Sequence, residues 1–347
     1  MKNKRVLVTG GLGFIGSHTV VALQKEGFEV VIIDNLSNSS LDVLAGITQI
    51  TGKTPEFENL DLREKPAVQN FFEKYPDIEG VIHFAASKAV GESVINPLLY
   101  YENNISSLVY LLQELVKKDS CKFIFSSSCT VYGQADELPI TENAPVKKAE
   151  SPYGNTKQIG EEIIQDTCKV NNHLKAISLR YFNPIGAHPS AEIGELPIGT
   201  PQNLVPFITQ TAIGKRDELS VFGDDYPTSD GTAIRDYIHV MDLAEAHVIA
   251  LKRLFTESDR ANYNVYNLGT GNGNTVLEVI KTFEKVSGTD LPYKIVGRRA
   301  GDITAAYADT NKANNELNWK ASRSLDESLE SAWKWQNVVI AKEKEEN

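Results

Sequence analysis

The sequence TGGLGFIG at residues 9–16 joins a short β-branched run to a segment with helical spacing. Arg5–Thr9 (RVLVT) predicts a strand, and Phe14–Lys25 predicts the helix that follows it. Read from Gly11 the stretch fits G-x-G-x-x-G, and read from Gly10 it fits G-x-x-G-x-x-G. Glycines in such a turn allow a tight bend, a close backbone approach to a pyrophosphate and close packing of helix on sheet.

The next predicted strand, Glu29–Asp34, ends on an acid 18 positions after Gly16. An acid at that place can accept hydrogen bonds from ribose hydroxyls, and the preceding helix N-terminus offers N–H groups and positive dipole to phosphates. Taken singly, the glycines also suit a flexible turn and Asp34 a turn at a strand end. Together they predict a dinucleotide site. NAD is favoured over NADP because Asp34 would repel a 2′-phosphate and no arginine follows it directly.

The first half of the chain alternates strand and helix patterns. Its strands are almost continuously apolar, which is typical of a parallel sheet covered on both faces. We therefore predict an α/β fold, a Rossmann-type doubly wound parallel sheet. The predicted strands are Arg5–Thr9, Glu29–Asp34, about 56–60, Val81–Phe84, Lys122–Phe125 and Lys175–Tyr181. The predicted helices are Phe14–Lys25, about 40–50, about 64–74, Pro97–Lys118 and Ser151–Val170.

The pattern changes after residue 182. Residues 183–202 carry four prolines and three glycines, and an irregular segment of that length inside a compact protein is usually functional. We predict a Rossmann domain at 1–182 and a smaller C-terminal α/β substrate-binding domain at 183–347. They should share a cleft, because no Ser/Gly-rich or charged spacer separates them. The shorter elements predicted in this part are 203–214, 219–222, 234–240, 242–255, 263–268 and 275–287.

Composition narrows the function classes. The chain has 347 residues, 41% of them hydrophobic, and a net charge of −11, which argues against disorder and against nucleic acid as the main partner. The sequence predicts no membrane span and no signal peptide. The three cysteines show no C-x-x-C spacing, and the histidines, including His18 and His83, show no metal-binding spacing. We predict a cytoplasmic protein with no metal site, in which these histidines pack or hydrogen-bond.

Three residue types mark a candidate catalytic site. Ser126–Ser128 follows a predicted strand, at the sheet edge where open parallel sheets bind ligands. Tyr153 and Lys157 lie four residues apart on a predicted helix, hence on one face. A cation one turn away favours the phenolate, which could take a proton from a sugar hydroxyl while hydride leaves the carbon. An isolated pair of this kind is more often a surface pair, but the dinucleotide pattern and the serines favour catalysis.

Seven sequence blocks together resemble the UDP-glucose 4-epimerases, within the extended short-chain dehydrogenase/reductase group. The resemblance runs from residue 5 to about 335, essentially the whole chain, and its second-half blocks are specific to this family. The blocks are TGGLGFIGSH (9–18), DNLSNS (34–39), HFAASKAVGES (83–93), FSSSCTVYG (125–133), SPYGNTK (151–157), RYFNPIGAHPS (180–190) and FGDDYPTSDGTAIRDYIHVMDLA (222–244).

The resemblance implies an isomerase that holds NAD tightly and interconverts UDP-galactose and UDP-glucose. In this family C4 of the hexose is oxidised to a ketone, the keto-sugar turns over, and hydride returns to its opposite face. Tyr153 would be the base and later the acid, Lys157 would hold the nicotinamide ribose and tune Tyr153, and Ser128 would hydrogen-bond the C4 oxygen. A homodimer built from the helices near 97–118 and 151–170 is also implied.

The resemblance also implies two sets of binding residues. In the NAD site, the pyrophosphate would contact Gly10, Gly13, Phe14, Ile15 and Gly16, and the adenosine ribose and nearby phosphate would contact Asp34, Asn35 and Asn38. The adenine would contact Asp61 and Leu62, and the nicotinamide would contact Tyr181 and Phe182. The rest of the NAD site would be lined by Phe84, Ala85, Lys88 and Asn103. For the UDP-sugar, the matching positions are Asn183, Asn203, Leu204, Phe222, Arg235, Tyr237, Arg299 and Asp302.

Arg235 and Arg299 suit a site for the anionic diphosphate, because a guanidinium binds phosphate oxygens with two donors. Without the family pattern, Arg235 could equally be a partner of Asp236, and Arg299 a solvated loop residue beside Arg298. The −11 net charge is compatible with local cations that bind an anionic diphosphate.

One departure from the family concerns substrate range. Ala306 stands where epimerases restricted to the plain hexose carry a bulky tyrosine beside the C2 substituent of the sugar. A methyl group there leaves room for an N-acetyl group. We therefore hypothesise that UDP-GlcNAc and UDP-GalNAc are interconverted as well.

Three other readings stay open on sequence. A nucleotide-sugar 4,6-dehydratase would carry Asp-Glu where Cys129 and Thr130 stand, and neither of these supplies the acid–base pair for loss of water. A conventional dehydrogenase would release NADH. A non-catalytic NAD sensor would have no need of Ser128, Tyr153 and Lys157 together.

Overall fold

The structure is a computed structural model that describes residues 3–256, 261–299 and 302–345. Its strands are β1 (Arg5–Thr9), β2 (Glu29–Asp34), β3 (Glu56–Asn59), β4 (Ile78–His83), β5 (Cys121–Ser128), β6 (Leu174–Tyr181), β7 (Asn183–Ile185), β8 (Leu219–Phe222), β9 (Ile234–Arg235), β10 (Tyr237–His239), β11 (Tyr263–Leu268), β12 (Asn274–Thr275), β13 (Tyr293–Val296) and β14 (Ala305–Ala306).

The helices connect these strands. They are α1 (Phe14–Lys25), α2 (Asp42–Thr51), α3 (Lys65–Lys74), α4 (Val90–Ile95), α5 (Pro97–Tyr101), α6 (Ser107–Leu115), α7 (Pro152–Val170), α8 (Leu204–Ala212), α9 (Val240–Thr256), α10 (Val276–Ser287), α11 (Asn311–Glu316) and α12 (Leu325–Glu345). A π-helical turn, Glu102–Ser106, joins α5 to α6, and a 3₁₀ turn, Cys129–Tyr132, follows β5.

A parallel sheet organises the first half of the chain. Within the described residues it has seven strands in the order β11-β6-β5-β4-β1-β2-β3, and each neighbouring pair is parallel. The chain runs outward from β1 to β3 and then crosses back to β4, on the other side of β1. Ligands of open parallel sheets bind outside the carboxyl ends of the strands at such a reversal. The predicted Rossmann-type sheet is confirmed.

Helices cover both faces of this sheet. On one face Val6 and Ile32 share a buried core with residues of α1 and α9. On the other face Leu7 and Val31 are buried with residues of α3, α6 and α7. Successive strand residues point to opposite faces, so strands with two covered faces are apolar throughout, as the sequence pattern indicated.

The sheet extends past the predicted boundary at residue 182. β11 pairs with β6 from Tyr263 to Leu268, and α9 packs in the same core as α1. The later part of the chain therefore supplies both a strand and a helix to the first core. The division into 1–182 and 183–347 does not coincide with the edge of this core, and as a division into domains it stays a prediction.

Several predicted boundaries were wrong: the strand predicted over Val81–Phe84 spans Ile78–His83, and the element predicted over 234–240 is divided into β9 and β10. The helix predicted over Pro97–Lys118 is interrupted by the π-helical turn and ends at Leu115, although Pro97 does stand in its first turn. The strand predicted to end at Phe125 continues to Ser128, because its three serines pair with the last residues of β6. The serines therefore form the end of the strand instead of following it.

The remaining elements form a smaller α/β part. β7 pairs with β10, β8 with β13, and β9 lies between β12 and β14. Val205 of α8, Phe283 of α10 and Leu329 of α12 share one buried core with these strands. The sequence analysis assigned no element after residue 287, where the structure has β13, β14, α11 and α12.

His18 and His83 are both buried in the fold. His83 Nδ1 lies 2.8 Å from Thr9 Oγ1, and His18 Nδ1 lies 2.7 Å from the Phe14 carbonyl oxygen, so both hydrogen-bond as expected. The three cysteines are free thiols. Among the described residues, no three His, Cys, Asp or Glu side chains are grouped to hold a metal ion. None of the described helices combines the length and apolar character needed to cross a bilayer.

Candidate active site

The glycine turn after β1 lies against the end of β4. Gly10 has φ +67°, and a Cβ added there would lie 2.8 Å from the Ala85 backbone nitrogen. A Cβ on Gly16 would lie 2.1 Å from the Gly10 carbonyl oxygen, which no real structure tolerates. Gly13 stands at the N-cap of α1 without a side-chain cap from the described residues. The turn therefore offers helix N–H groups at a surface without side chains, which fits a pyrophosphate.

Asp34 holds this turn in place. Its Oδ2 accepts a hydrogen bond of 3.1 Å from the Leu12 N–H, and its Oδ1 accepts from the Leu36 N–H at 3.0 Å and from Ser39 Oγ at 2.8 Å. An ionised carboxylate has about four lone-pair positions, so these three bonds leave room for a ribose hydroxyl. The structural role was missed in the sequence, because a backbone N–H in a turn leaves no signal in residue type.

Next to Asp34 lies a small polar group at the ends of β2 and β3. Asn35 Nδ2 donates to Asp61 Oδ2 at 3.1 Å, and Arg63 forms an ion pair with the same oxygen at 2.7 Å. Hydrogen bonds from Arg63 hold the pKa of Asp61 at about 2. Leu62 between them is buried. Asp34, Asn35, Asp61 and Leu62 of the set predicted for adenosine thus lie together at these strand ends, and Arg63 is already paired with a carboxylate.

The predicted contacts from β4 onward also gather at this edge. The Phe84 N–H donates to the Thr9 carbonyl at 3.1 Å, which keeps Ala85 beside the glycine turn. Asn103, in the π-helical turn, donates from Nδ2 to Ser87 Oγ at 2.9 Å and so lies against this loop. Lys88 extends from this loop with its side chain 52% exposed.

Tyr153 and Lys157 lie on α7, which begins beside the end of β5. Ser151 caps α7 by accepting from the Gly154 N–H at 3.1 Å, and Pro152 occupies its first turn, so the helix starts where the sequence predicted. Lys157 is buried. Its Nζ donates to the Ser126 carbonyl at 2.7 Å and lies 5.8 Å from the centre of the Tyr153 ring.

The protonation of these groups depends on burial and charge. Burial lowers the pKa of Lys157 to about 8, and the nearby Glu161 opposes that shift. Burial raises the pKa of Tyr153 above its usual range, and a hydrogen bond from Ser128 acts against this rise. The Tyr181 hydroxyl hydrogen-bonds Ser126 Oγ, and burial raises its pKa to about 12. The structure therefore gathers Ser128, Tyr153 and Lys157 at the carboxyl edge of the sheet.

A buried ion pair supports this cluster from below. Glu161, one turn after Lys157 on α7, accepts from Arg180 Nε at 2.9 Å and from Ser127 Oγ at 2.5 Å. Arg180 also lies 4.8 Å from the centre of the Tyr132 ring. The sequence analysis missed this pair. Its one signal was an acid four residues after Lys157, and the arginine partner lies on a different strand.

On the substrate side, Arg235 pairs with Asp302 and not with Asp236. Asp236 is buried and accepts backbone hydrogen bonds from Thr270 at 2.8 Å, Gly271 at 3.1 Å and Ala308 at 3.2 Å. The alternative that Arg235 is the partner of its neighbour Asp236 is therefore wrong, because Arg235 pairs with Asp302 and the Asp236 carboxylate is occupied by backbone N–H groups.

The other predicted substrate residues lie on several elements of the smaller α/β part. The Arg299 guanidinium lies 4.6 Å from the centre of the Phe222 ring, whereas Arg298 pairs with Asp225. Tyr237 and Asn183 are register partners on β10 and β7. Asn203 stands at the N-cap of α8 with Leu204 directly after it.

Ala306 lies between the two predicted binding regions. It is a register partner of Arg235, and it is buried in one apolar cluster with Phe182 and Tyr132. Phe182 belongs to the predicted nicotinamide side and Arg235 to the predicted substrate side. A side chain at position 306 therefore lies near members of both predicted sets.

A Rossmann sheet with a glycine turn and a Ser, Tyr and Lys cluster defines the short-chain dehydrogenase/reductase class of site. A family model described as GDP-mannose 4,6 dehydratase matches residues 7–332. Cys129 and Thr130 stand where dehydratases of the group place their Asp-Glu pair, and burial raises the pKa of the Cys129 thiol to about 11. The individual relatives are therefore more informative than this broad family.

The relatives are epimerases. The UDP-glucose 4-epimerase of Bacillus subtilis is 51% identical over 335 residues, covering 96% of this chain and 97% of that protein. The crystal structure of UDP-glucose 4-epimerase from Stenotrophomonas maltophila, with bound NAD and formylated UDP-arabinopyranose, matches with a TM-score of 0.93 and 46% identity over 99% of this chain and 100% of that one. The crystal structure of UDP-glucose 4-epimerase from Bifidobacterium longum, in complex with NAD⁺ and UDP, matches with a TM-score of 0.92 and 47% identity over 96% of this chain and 98% of that one. The chain belongs to the UDP-glucose 4-epimerase family, whose members are isomerases.

Removing the buried carboxylate beneath the site should destabilise the fold. We expect Glu161→Ala to lower the free energy of unfolding by about 3–5 kcal/mol, because Arg180 would keep a buried charge without its partner. The matched control is Glu162→Ala, at an exposed neighbour on the same helix. It should change the free energy of unfolding by less than about 0.5 kcal/mol. Urea denaturation measures both, and equal losses in the two variants would contradict this account.

Proposed function

We propose that the protein interconverts UDP-galactose and UDP-glucose by NAD-dependent epimerisation at C4, through a transient 4-keto sugar. The observation that carries the proposal is the position of Tyr153 and Lys157 beside Ser128, at the carboxyl edge of the sheet. The glycine turn follows β1, two strands from β5 in the same sheet, and Arg235 lies near enough to Cys129, the residue after Ser128, to lower the pKa of its thiol against the effect of burial. A group that can exchange a proton with a sugar hydroxyl therefore lies between a dinucleotide cradle and a cation for a diphosphate.

NAD fits the first region. Gly10 and Gly16 permit a tight turn that any side chain would prevent, so the N-terminus of α1 can approach a pyrophosphate, and Asp34 would accept a ribose hydroxyl. The bidentate hold of Asp61 on Arg63 supports NAD over NADP, because this arginine is not free to meet a 2′-phosphate. Bound NAD supplies the nicotinamide that takes hydride from C4 and gives it back.

The chain's own residues move the proton. The Tyr153 oxygen would accept the proton of the C4 hydroxyl as the carbon is oxidised and would return it when the ketone is reduced. The buried Lys157 ammonium would favour the phenolate during this exchange, and Ser128 would donate a hydrogen bond to the C4 oxygen. The desolvation that raises the pKa of Tyr153 makes a nearby cation necessary for this role.

The diphosphate would be held by guanidinium groups. Arg235 is paired with Asp302, and Arg299 lies over one face of the Phe222 ring, whose other face would stack on a uracil. Asn183, Asn203, Leu204 and Tyr237 would complete the site. These roles stay predictions.

Replacing the candidate base tests the mechanism. We expect Tyr153→Phe to lower turnover of UDP-galactose by at least about 100-fold, because the ring is retained and the proton-accepting oxygen is lost. The assay contains purified protein and no added NAD, and the NAD content of each preparation is measured. The variant should keep its bound NAD.

The same assay separates the other readings. Unchanged turnover in Tyr153→Phe would contradict the mechanism. A requirement for added NAD with accumulation of NADH would identify a conventional dehydrogenase, and NAD binding without any turnover of UDP-sugars would identify a sensor.

We also propose activity on the N-acetylated pair, UDP-GlcNAc and UDP-GalNAc. Ala306 carries a methyl group beside both Arg235 and Phe182, so the space next to the sugar is not filled by a large ring. The proposed activity on N-acetylated sugars depends on Ala306 alone.

A substitution at this position tests the substrate range. We expect Ala306→Tyr to lower turnover of UDP-GalNAc at least about tenfold more than turnover of UDP-galactose, since the ring would fill the space for the acetyl group. Initial rates with both substrates measure the ratio. Ala308→Ser, at a neighbouring buried alanine outside both predicted sets, is the control. Purified protein that converts UDP-glucose and not UDP-GalNAc would overturn this proposal.

A homodimer is proposed through α4, α5 and α7. Val94, Ile95 and Leu98 are 62%, 79% and 80% exposed, which is unusual for three neighbouring apolar residues. Leu108, Leu112 and Leu115 of α6 are buried in the chain's own core and are not free to form an interface. Light scattering should give twice the 38.3 kDa chain mass, and Ile95→Asp/Leu98→Asp should give the single chain. A monomeric wild-type protein would contradict it. The cytoplasmic location stays a prediction.

A further inference from the structure

The segment from Gly194 to Asn203 crosses between the two predicted binding regions, and its path is fixed by α12. A Cβ added to Gly194 would lie 2.5 Å from Cγ of the Trp335 ring. The indole N–H of Trp335 donates to the Glu195 carbonyl oxygen at 3.0 Å. A glycine is needed at 194 for this close packing, and Trp335 therefore determines where the side chain of Glu195 begins.

The carboxylate of Glu195 touches both regions at once. Its Oε1 accepts from Lys88 Nζ at 3.3 Å and from Asn203 Nδ2 at 2.8 Å. Lys88 is a predicted cofactor contact and Asn203 a predicted substrate contact. The Glu195 side chain is only 10% exposed, so this charge is screened little by solvent and its two partners matter to it.

Asn203 has an unusual position for its residue type. It is the N-cap of the nine-residue helix α8, where an asparagine oxygen commonly accepts from the helix's own first N–H groups. Here, within the described residues, it makes no such bond, and its amide donates to Glu195 instead. The first N–H groups of α8, including that of Leu204, are left for another acceptor.

We propose that Glu195 is a positioning residue that connects the two sites. Its hydrogen bond turns the Asn203 amide away from the N-terminus of α8, so the first N–H groups of α8 stay open to the diphosphate of the UDP-sugar. It also holds the Lys88 ammonium toward the same point, so the cation is shared between the cofactor side and the substrate side. This inference rests on the proposed function for the assignment of the two sites. Neither the glycine pattern nor the Tyr and Lys pair indicates such a residue.

The charge arrangement explains why an acid is tolerated beside two anionic ligands. A lone carboxylate would repel a diphosphate, but Glu195 is offset by one ammonium and one amide donor on a single oxygen. Without Glu195, the Asn203 side chain is free to turn back and cap α8. That cap would compete with the diphosphate for the same N–H groups.

The test uses purified holoenzyme and UDP as the probe, measured by calorimetry. We expect Glu195→Ala to weaken UDP binding about tenfold, or about 1.4 kcal/mol. The KM for UDP-galactose should rise by a similar factor, with kcat within about twofold, because the residue orders the ground-state site and touches no reacting atom. Glu195→Gln keeps an acceptor oxygen and should restore UDP affinity to within about threefold of wild type.

Two further measurements separate positioning from a structural effect. Glu192→Ala changes an acid two residues before this segment that accepts a hydrogen bond from Gln49, and it should leave UDP affinity and KM unchanged. Lys88→Met should weaken UDP binding in the wild-type background and should have no further effect in Glu195→Ala, since the coupling passes through that carboxylate.

UDP affinity in Glu195→Ala equal to wild type, or a glutamine variant as weak as the alanine variant, would overturn the inference. Wild-type protein that binds UDP and does not convert UDP-galactose would instead overturn the proposed function, while the UDP measurements would still decide the role of Glu195.

Discussion

The turn between β1 and α1 lies so close to the end of β4 that a Cβ cannot fit between them, and much of the site follows from this contact. Gly10 meets the backbone of Ala85, and Gly16 meets the turn itself. The close approach brings the two strands on either side of the reversal together at their carboxyl ends. It also fixes the start of α1, so that helix N–H groups, the acid at the end of β2 and the loop after β4 share one surface.

Burial also controls the protonation of the two candidate catalytic groups on α7. Lys157 lies inside the protein between the Ser126 carbonyl and an aromatic ring, and Tyr153 lies above it. Desolvation disfavours both charged forms, so each group needs the other, and the acid one turn further along α7 reduces the cost to the ammonium. The catalytic arrangement is therefore inseparable from the buried Glu161–Arg180 pair that supports it.

What the sequence predicted well depends on short-range spacing. The helical pair Tyr153 and Lys157, the strand before the glycines and the acid at the end of β2 are all fixed within a few residues, and the structure has the strands and helices they require. What was missed depends on partners far apart in the chain. Asp236 binds backbone N–H groups of Thr270 and Ala308, and Glu195 meets Lys88 across 107 positions. No residue pattern announces a backbone donor, and a lone acid in a proline-rich segment carries no sign of its partners.

The strand that completes the sheet has a consequence for how the chain reaches its folded state. β6 is paired on its outer side by β11, which is synthesised some eighty residues later. Until Leu268 has left the ribosome, the apolar residues of β6 form an open edge, which is a template for pairing with other chains. The intervening substrate-side elements are thus made while the cofactor-side sheet is still incomplete. The two parts of the molecule cannot mature one after the other, and cutting the chain at residue 182 would leave that edge permanently unprotected.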